Sequence, residues 1–155
     1  MKDRANWLVV AQFVLLAVLA VLPFVVPLAP LWAGQQSTVL AVLLIITGLV
    51  LAGAGAAALG RDLVVQVTPR EGAVLRTTGV YRLTRNPIYV GLLIAAAGWV
   101  VWFARVDLIV AWVLLAVVLI AKARVEERRL VARFGDDYRE YAARTPLMLW
   151  RRGIR

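Results

Sequence analysis

The chain is written in long apolar runs separated by a few polar joints. Trp7 to Leu22 supplies sixteen uncharged residues before Pro23, and the run goes on through Phe24, Val25 and Val26. Thr38 to Leu59 is a second run, Pro87 to Ala104 a third and Leu108 to Ala121 a fourth, and no charge interrupts the 56 residues from Ala5 to Gly60. A helix needs roughly 20 apolar residues to cross an apolar core about 30 Å thick. The pattern therefore predicts an all-α, polytopic membrane helix bundle with four transmembrane helices, at about residues 5–26, 38–59, 87–104 and 108–126, in one membrane domain over residues 1–155.

The joints carry the detail. Pro23, Pro27 and Pro30 lack amide donors and clash with the preceding turn, so they are expected to kink and then end the first span. Met1 to Arg4 is a short basic leader, but the apolar run outlasts a signal-peptide core and no small-x-small cleavage site follows it, which reads as an uncleaved first span. Residues 60–86 form a hydrophilic connection with five arginines, Pro69, Gly72 and Gly79; within it Leu63 to Val67 alternates as a short strand or an interfacial segment would. Arg105-Val106-Asp107 reads as a tight turn.

The fourth run is informative because it is short. Fourteen residues at about 1.5 Å each give about 21 Å of helix, so the helix is expected to continue through Lys122, Arg124, Glu126 and Glu127. Lys122 and Arg124 can snorkel to water, whereas carboxylates on shorter stems reach less far, which places Glu126 and Glu127 at the interface with at least one turned to protein or a polar cavity. Glu127, Val131, Phe134 and Tyr138 keep helical spacing beyond it, in an interfacial C-terminal segment over residues 127–155. Gly135 is expected to stop this helix, Asp136 or Asp137 to cap a short successor ending before Pro146, and Met148-Leu149-Trp150 to rest on the interface.

Composition narrows the chemistry. Hydrophobic residues make up 63% of the 155 and the mean hydropathy is +0.82, which excludes a water-soluble domain of this size. With no cysteine and no histidine there is no disulfide, thiolate nucleophile, zinc-thiolate site or imidazole base, and no metal is expected. Seventeen of the eighteen basic residues fall on one side of a four-span arrangement, Arg105 being the exception. That bias predicts a multi-pass membrane protein with both termini cytoplasmic, and the expected location is a prokaryotic inner membrane. Its partners are the lipid bilayer and a membrane-borne small molecule, and no nucleic acid is implied.

One motif misleads. Gly53-Ala-Gly55-Ala-Ala-Ala58 fits a dinucleotide fingerprint, with Glu71 near the spacing of a ribose-binding acid. The run before it is far longer than a strand, and no strand-helix units follow. Gly48, Ala52, Gly53, Ala56 and Ala57 instead give the small-xxx-small spacing of closely packed helices.

Two stretches stand at apolar-polar boundaries and carry candidate chemistry. Asn86-Pro87 suits a helix start, since Asn is a good N-cap and Pro is favoured at the first helical position. The same geometry offers amide donors and a positive dipole end to an anion, with Arg85 adjacent. Glu126-Glu127 reads as a pair of surface acids matched to Arg129 or Arg133 at helical spacing, or as an acidic wall facing the Arg85 stretch.

Together, Gly79-Val-Tyr-Arg-Leu-Thr-Arg-Asn-Pro-Ile-Tyr-Val-Gly91 and Glu126-Glu-Arg-Arg-Leu-Val-Ala-Arg-Phe-Gly-Asp-Asp-Tyr-Arg-Glu-Tyr141 resemble the isoprenylcysteine carboxyl methyltransferase and phospholipid methyltransferase family of membrane enzymes. The resemblance covers roughly residues 60–146. It implies S-adenosylmethionine as methyl donor, held at the cytoplasmic membrane face. Arg85, Asn86, Pro87 and Tyr89 match the family's Arg-His-Pro-x-Tyr motif, and Glu126 and Glu127 its acidic pair. It assigns Tyr81, Arg85, Asn86, Pro87, Tyr89, Glu126, Glu127 and Tyr138 to the cofactor and Tyr141 and Arg144 to the substrate, and identifies no catalytic residue. Asn86 stands where the family often has His, and Leu147 where many members have Arg.

A sulfonium is cationic, so attack by a carboxylate or thiolate cancels charge and is favoured where water is scarce. An amine, such as a phospholipid headgroup, must first lose a proton, and here Glu or Tyr would take it. The expected function is methyl transfer to a lipid-like or membrane-partitioned small acceptor. The alternatives are a non-enzymatic membrane subunit or carrier, and an NADPH-dependent reductase on a related fold.

Overall fold

The computed structural model describes residues 2–32, 34–60 and 75–149. Four α-helices make up nearly all of it: α1 (Lys2–Val25), α2 (Gln35–Leu59), α3 (Pro87–Phe103) and α4 (Val106–Arg144), with a single 3-10 turn at Gly79–Arg82. The alternating Leu63 to Val67 stretch lies outside the described residues, as does Trp150. α1, α2 and α4 are long and apolar enough to cross a membrane, whereas α3 is shorter, at 17 residues, or about 26 Å. Large side chains such as Phe13, Leu43, Leu49 and Val117 are exposed on the outer faces, a surface suited to lipid rather than water.

Helix α2 packs chiefly on α3, and α1 on α4. The first contact depends on missing side chains. A Cβ added at Gly48, Gly91 or Gly98 would meet backbone of the facing helix within 3 Å, so the two backbones approach as small-xxx-small helices do. Gly55 faces Pro87 and Ile88, while Gly53 faces nothing within 4 Å. The close contact thus uses Gly48, Ala52 and Gly55 rather than Gly53, and the whole Gly53–Ala58 fingerprint lies inside a helix.

Pro23 in α1 and Pro27 just beyond its end leave two carbonyls without helical donors, and residues from other parts of the bundle supply replacements. Pro23 cannot donate to Leu19, and Trp99 Nε1 donates to that carbonyl at 2.9 Å. Pro27 cannot donate to Pro23, and Arg105 Nη1 donates there at 3.2 Å and to the Val26 carbonyl at 2.6 Å. The helix continues through Pro23 and ends at Val25. Ala104 closes α3 in the left-handed region at φ 52°, and its carbonyl accepts the Leu31 amide at 2.6 Å.

Helix α4 runs well past the apolar stretch, as the shortness of that stretch required. Gly135, at φ 56° and ψ −125°, breaks its regular path, a conformation that a residue without Cβ adopts at little cost. The second piece ends at Arg144, before Pro146. Residues 145–148 then turn back beneath α3: Met148 is fully buried with Val90 and Ala123. This differs from the expected interfacial rest for Met148, because the turn after Arg144 directs it inward.

Candidate functional site

The polar ends of α3 and α4 meet at one end of the bundle. The 3-10 turn delivers Tyr81, and the next four residues lead into α3 with Pro87 at its first position. Arg85 crosses to α4 and forms an ion pair with Glu127 through Nη1 and Oε1, both side chains being at most 7% exposed. The Arg85 guanidinium carbon also lies 5.9 Å from the centre of the Tyr138 ring. Its Nε is buried and has no hydrogen-bond partner among the described residues.

The neighbouring glutamate points elsewhere. Successive residues on a helix diverge by about 100°, so while Glu127 faces Arg85, Glu126 Oε1 accepts the Tyr89 hydroxyl at 2.6 Å. One turn earlier on α4, Lys122 is 2% exposed. Its Nζ donates to Gln12 Oε1 of α1 at 2.9 Å and stands 5.1 Å from the centre of the Tyr89 ring. Lys122 can reach water by snorkelling, but it faces inward, where Gln12 and the Tyr89 ring receive its charge.

Asn86 occupies the N-cap position of α3, but its side chain makes no cap hydrogen bond. Nδ2 donates instead to the Leu147 carbonyl at 3.1 Å, and Thr84 Oγ1 donates to the same carbonyl at 3.2 Å. The Arg85 amide donates to the Pro146 carbonyl at 2.9 Å. The cap expected of Asn86 is therefore not formed: the returning 145–148 segment claims its amide. Leu147 contributes its backbone carbonyl to both donors.

Tyrosines line the adjoining side. The Tyr141 hydroxyl donates to the Tyr81 carbonyl at 2.6 Å, Tyr81 donates to the Gly55 carbonyl at 3.3 Å, and the Tyr138 and Tyr141 rings meet edge to face at 6.0 Å. Burial and the Glu126 charge push Tyr81 up to about 12. Burial likewise carries Tyr138 to about 12, with Arg85 opposing and Glu127 assisting. Both phenols hold their protons at neutral pH.

The structure thus gathers Tyr81, Arg85, Asn86, Pro87, Tyr89, Glu126, Glu127, Tyr138 and Tyr141 at one end. Arg144 does not join them; it pairs with Glu140 one turn away, and both are exposed. Sequence reasoning passed over Gln12, Lys122 and Thr84 as parts of this end. Gln12 had a legible signal, as the one polar residue between Trp7 and Trp32.

Residues 36–137 match the phospholipid methyltransferase family. A stretch of 84 residues is 34% identical to methanethiol S-methyltransferase 1 of Bradyrhizobium diazoefficiens, a match that spans 51% of this chain and 27% of that protein.

Proposed function

This chain belongs to the phospholipid methyltransferase family, and on that premise we propose that it transfers a methyl group from S-adenosylmethionine to a membrane-partitioned small acceptor at the cytoplasmic membrane face. The basic residues concentrated at the Arg85 end support the cytoplasmic orientation, with α3 as a fourth, short crossing beside the other three.

The observation that carries the reading is the buried, unpartnered Arg85 Nε next to a helix start whose amides no side chain caps. Both features favour an anion, and a carboxylate such as that of the methyl donor fits them. When bound, S-adenosylmethionine supplies an electrophilic methyl on a cationic sulfur. Arg85 and the first amides of α3 would hold the carboxylate of the cofactor. Glu127, fixed by Arg85, offers its second oxygen to hydroxyl or amine donors, and the Tyr138 ring excludes water from the pair.

The acceptor reading draws on the similar protein whose name specifies a thiol; a thiol is small, partitions into lipid and suits a chain without histidine. Calorimetry with S-adenosylmethionine on the detergent-purified protein is expected to show saturable binding, weakened roughly 10-fold or more by Glu127→Gln. Folded protein that binds no S-adenosylmethionine would overturn the proposal.

A further inference from the structure

The acidic pair is divided between two environments, and the half not tied to Arg85 has its own support. Glu126 accepts from Tyr89, and Lys122 stands one turn away on the same face of α4. Lys122 in turn is fixed by Gln12. Gln12 belongs to α1, which precedes the family match at residues 36–137. The first helix therefore takes part in the polar cluster as well as in the apolar packing.

We propose that Glu126 takes the proton from a neutral thiol acceptor, with Tyr89, Lys122 and Gln12 as the residues that position it. The proposal rests on the methyl-transfer reading above. It follows from what each group at this end can do. Among the described residues, the Glu127 carboxylate is ion-paired with the Arg85 cation, which makes it the weaker proton acceptor, whereas Glu126 has a neutral phenol as its partner; Tyr81 and Tyr138 retain their protons, and a lysine cation has no free pair to accept one. Asp136, Asp137 and Glu140 lie exposed beyond Gly135. Glu126 remains, little more than one turn beyond the apolar part of α4.

In the step, the S–H bond of the acceptor breaks and its proton passes to the Glu126 carboxylate. The freed sulfur pair forms the new S–CH3 bond. The bond between the methyl and the donor sulfonium breaks, and its electrons remain on that sulfur as a neutral thioether. Glu126 then returns the proton to water. Charge is conserved, since one carboxylate and one sulfonium become an acid and a thioether.

Among the described residues, the charged and titratable groups around Glu126 are Tyr89 from α3, Lys122, Arg129 and Tyr138 from α4, and Tyr81 from the 3-10 turn. α1 contributes the neutral Gln12, and α2 carries no titratable residue. Burial works against the charge on Glu126, and the Tyr89 hydroxyl and the Lys122 and Arg129 cations work for it. Removal of Lys122 should therefore move the acid limb of the pH-rate profile to higher pH.

The test compares two thiols on the detergent-solubilised full chain: an alkanethiol, which keeps its proton at neutral pH, and a nitrothiophenol, which does not. Glu126→Gln is expected to slow methylation of the alkanethiol by ~100-fold or more and of the ionised thiol by less than ~10-fold, with the S-adenosylmethionine dissociation constant unchanged. Infrared difference spectra should show a carboxylic-acid band on alkanethiol binding that Glu126→Gln removes. Lys122→Met should shift the acid limb upward, Lys122→Arg should restore it, and Gln12→Leu should shift it in the Lys122→Met direction by less. Equal loss for both thiols, or loss expressed as weakened S-adenosylmethionine binding, would overturn the proposal and leave methyl transfer intact. Turnover of carboxylates alone, with neither thiol accepted, would overturn it too. Absence of S-adenosylmethionine binding in the unaltered protein would instead remove the underlying reading.

Discussion

Arg85 and Arg105 are both buried, both paired with a carboxylate and both placed at a helix end, yet their donors are used differently. Arg105 holds Asp107 through Nε and Nη2 and gives Nη1 to the carbonyls of Pro23 and Val26. Every nitrogen of its guanidinium has a partner inside the protein. Arg85 holds Glu127 with Nη1, lies by the Tyr138 ring and keeps a buried Nε unpartnered. A fully consumed arginine joins α1 to the α3–α4 turn; one with a donor in reserve is suited to receive something from outside. Burial and charge alone do not separate the two roles, whereas the account of each N–H does.

The largest test of this contrast is Arg105→Met. It strands Asp107 and leaves the Pro23 and Val26 carbonyls without their donors, and should lower stability more than any other substitution named here, read by denaturant unfolding in micelles. Arg85→Gln should weaken S-adenosylmethionine binding by roughly 10-fold or more and lower stability less than Arg105→Met, because Glu127, left alone, can take a proton and become neutral. Equal destabilisation with unchanged affinity would erase the distinction.

A pair of double variants sharpens it. Arg85→Gln with Glu127→Gln should recover about 1 kcal/mol of the stability lost in Arg85→Gln without restoring affinity. Arg105→Met with Asp107→Asn should recover less, since the Pro23 and Val26 carbonyls still lack donors. The smallest effect is expected for Asn86→Asp. A simple cap would tolerate this change, but a carboxylate cannot donate to Leu147, so stability should fall by about 1 kcal/mol, and thermal unfolding of the two proteins side by side will show it.

The helices were legible because apolar runs and proline positions are local signals. The shortness of the Leu108 to Ala121 run even predicted that α4 would continue through Glu126 and Glu127. The meeting of the Arg85 stretch with that pair followed from both lying at apolar-polar boundaries. Side-chain direction was less accessible. Lys122 was read as able to snorkel, as lysines at span ends commonly do, and its inward course depends on Gln12, 110 residues away in the chain. Asn86 was read as a cap from local propensity, but the returning segment offered its amide a tertiary partner. Met148 belonged to the same return, which begins after Arg144 and has no local signature.

That return also has a consequence for biosynthesis. The Leu147 carbonyl, which accepts from Thr84 and Asn86, emerges from the ribosome after all four helices. The loop ahead of α3 must wait for it while the hydrophobic segments are already inserting. Chain order thus places the completion of the Arg85 end after the synthesis of all four helices, so residues made later than the bundle fasten some of the residues at its polar end.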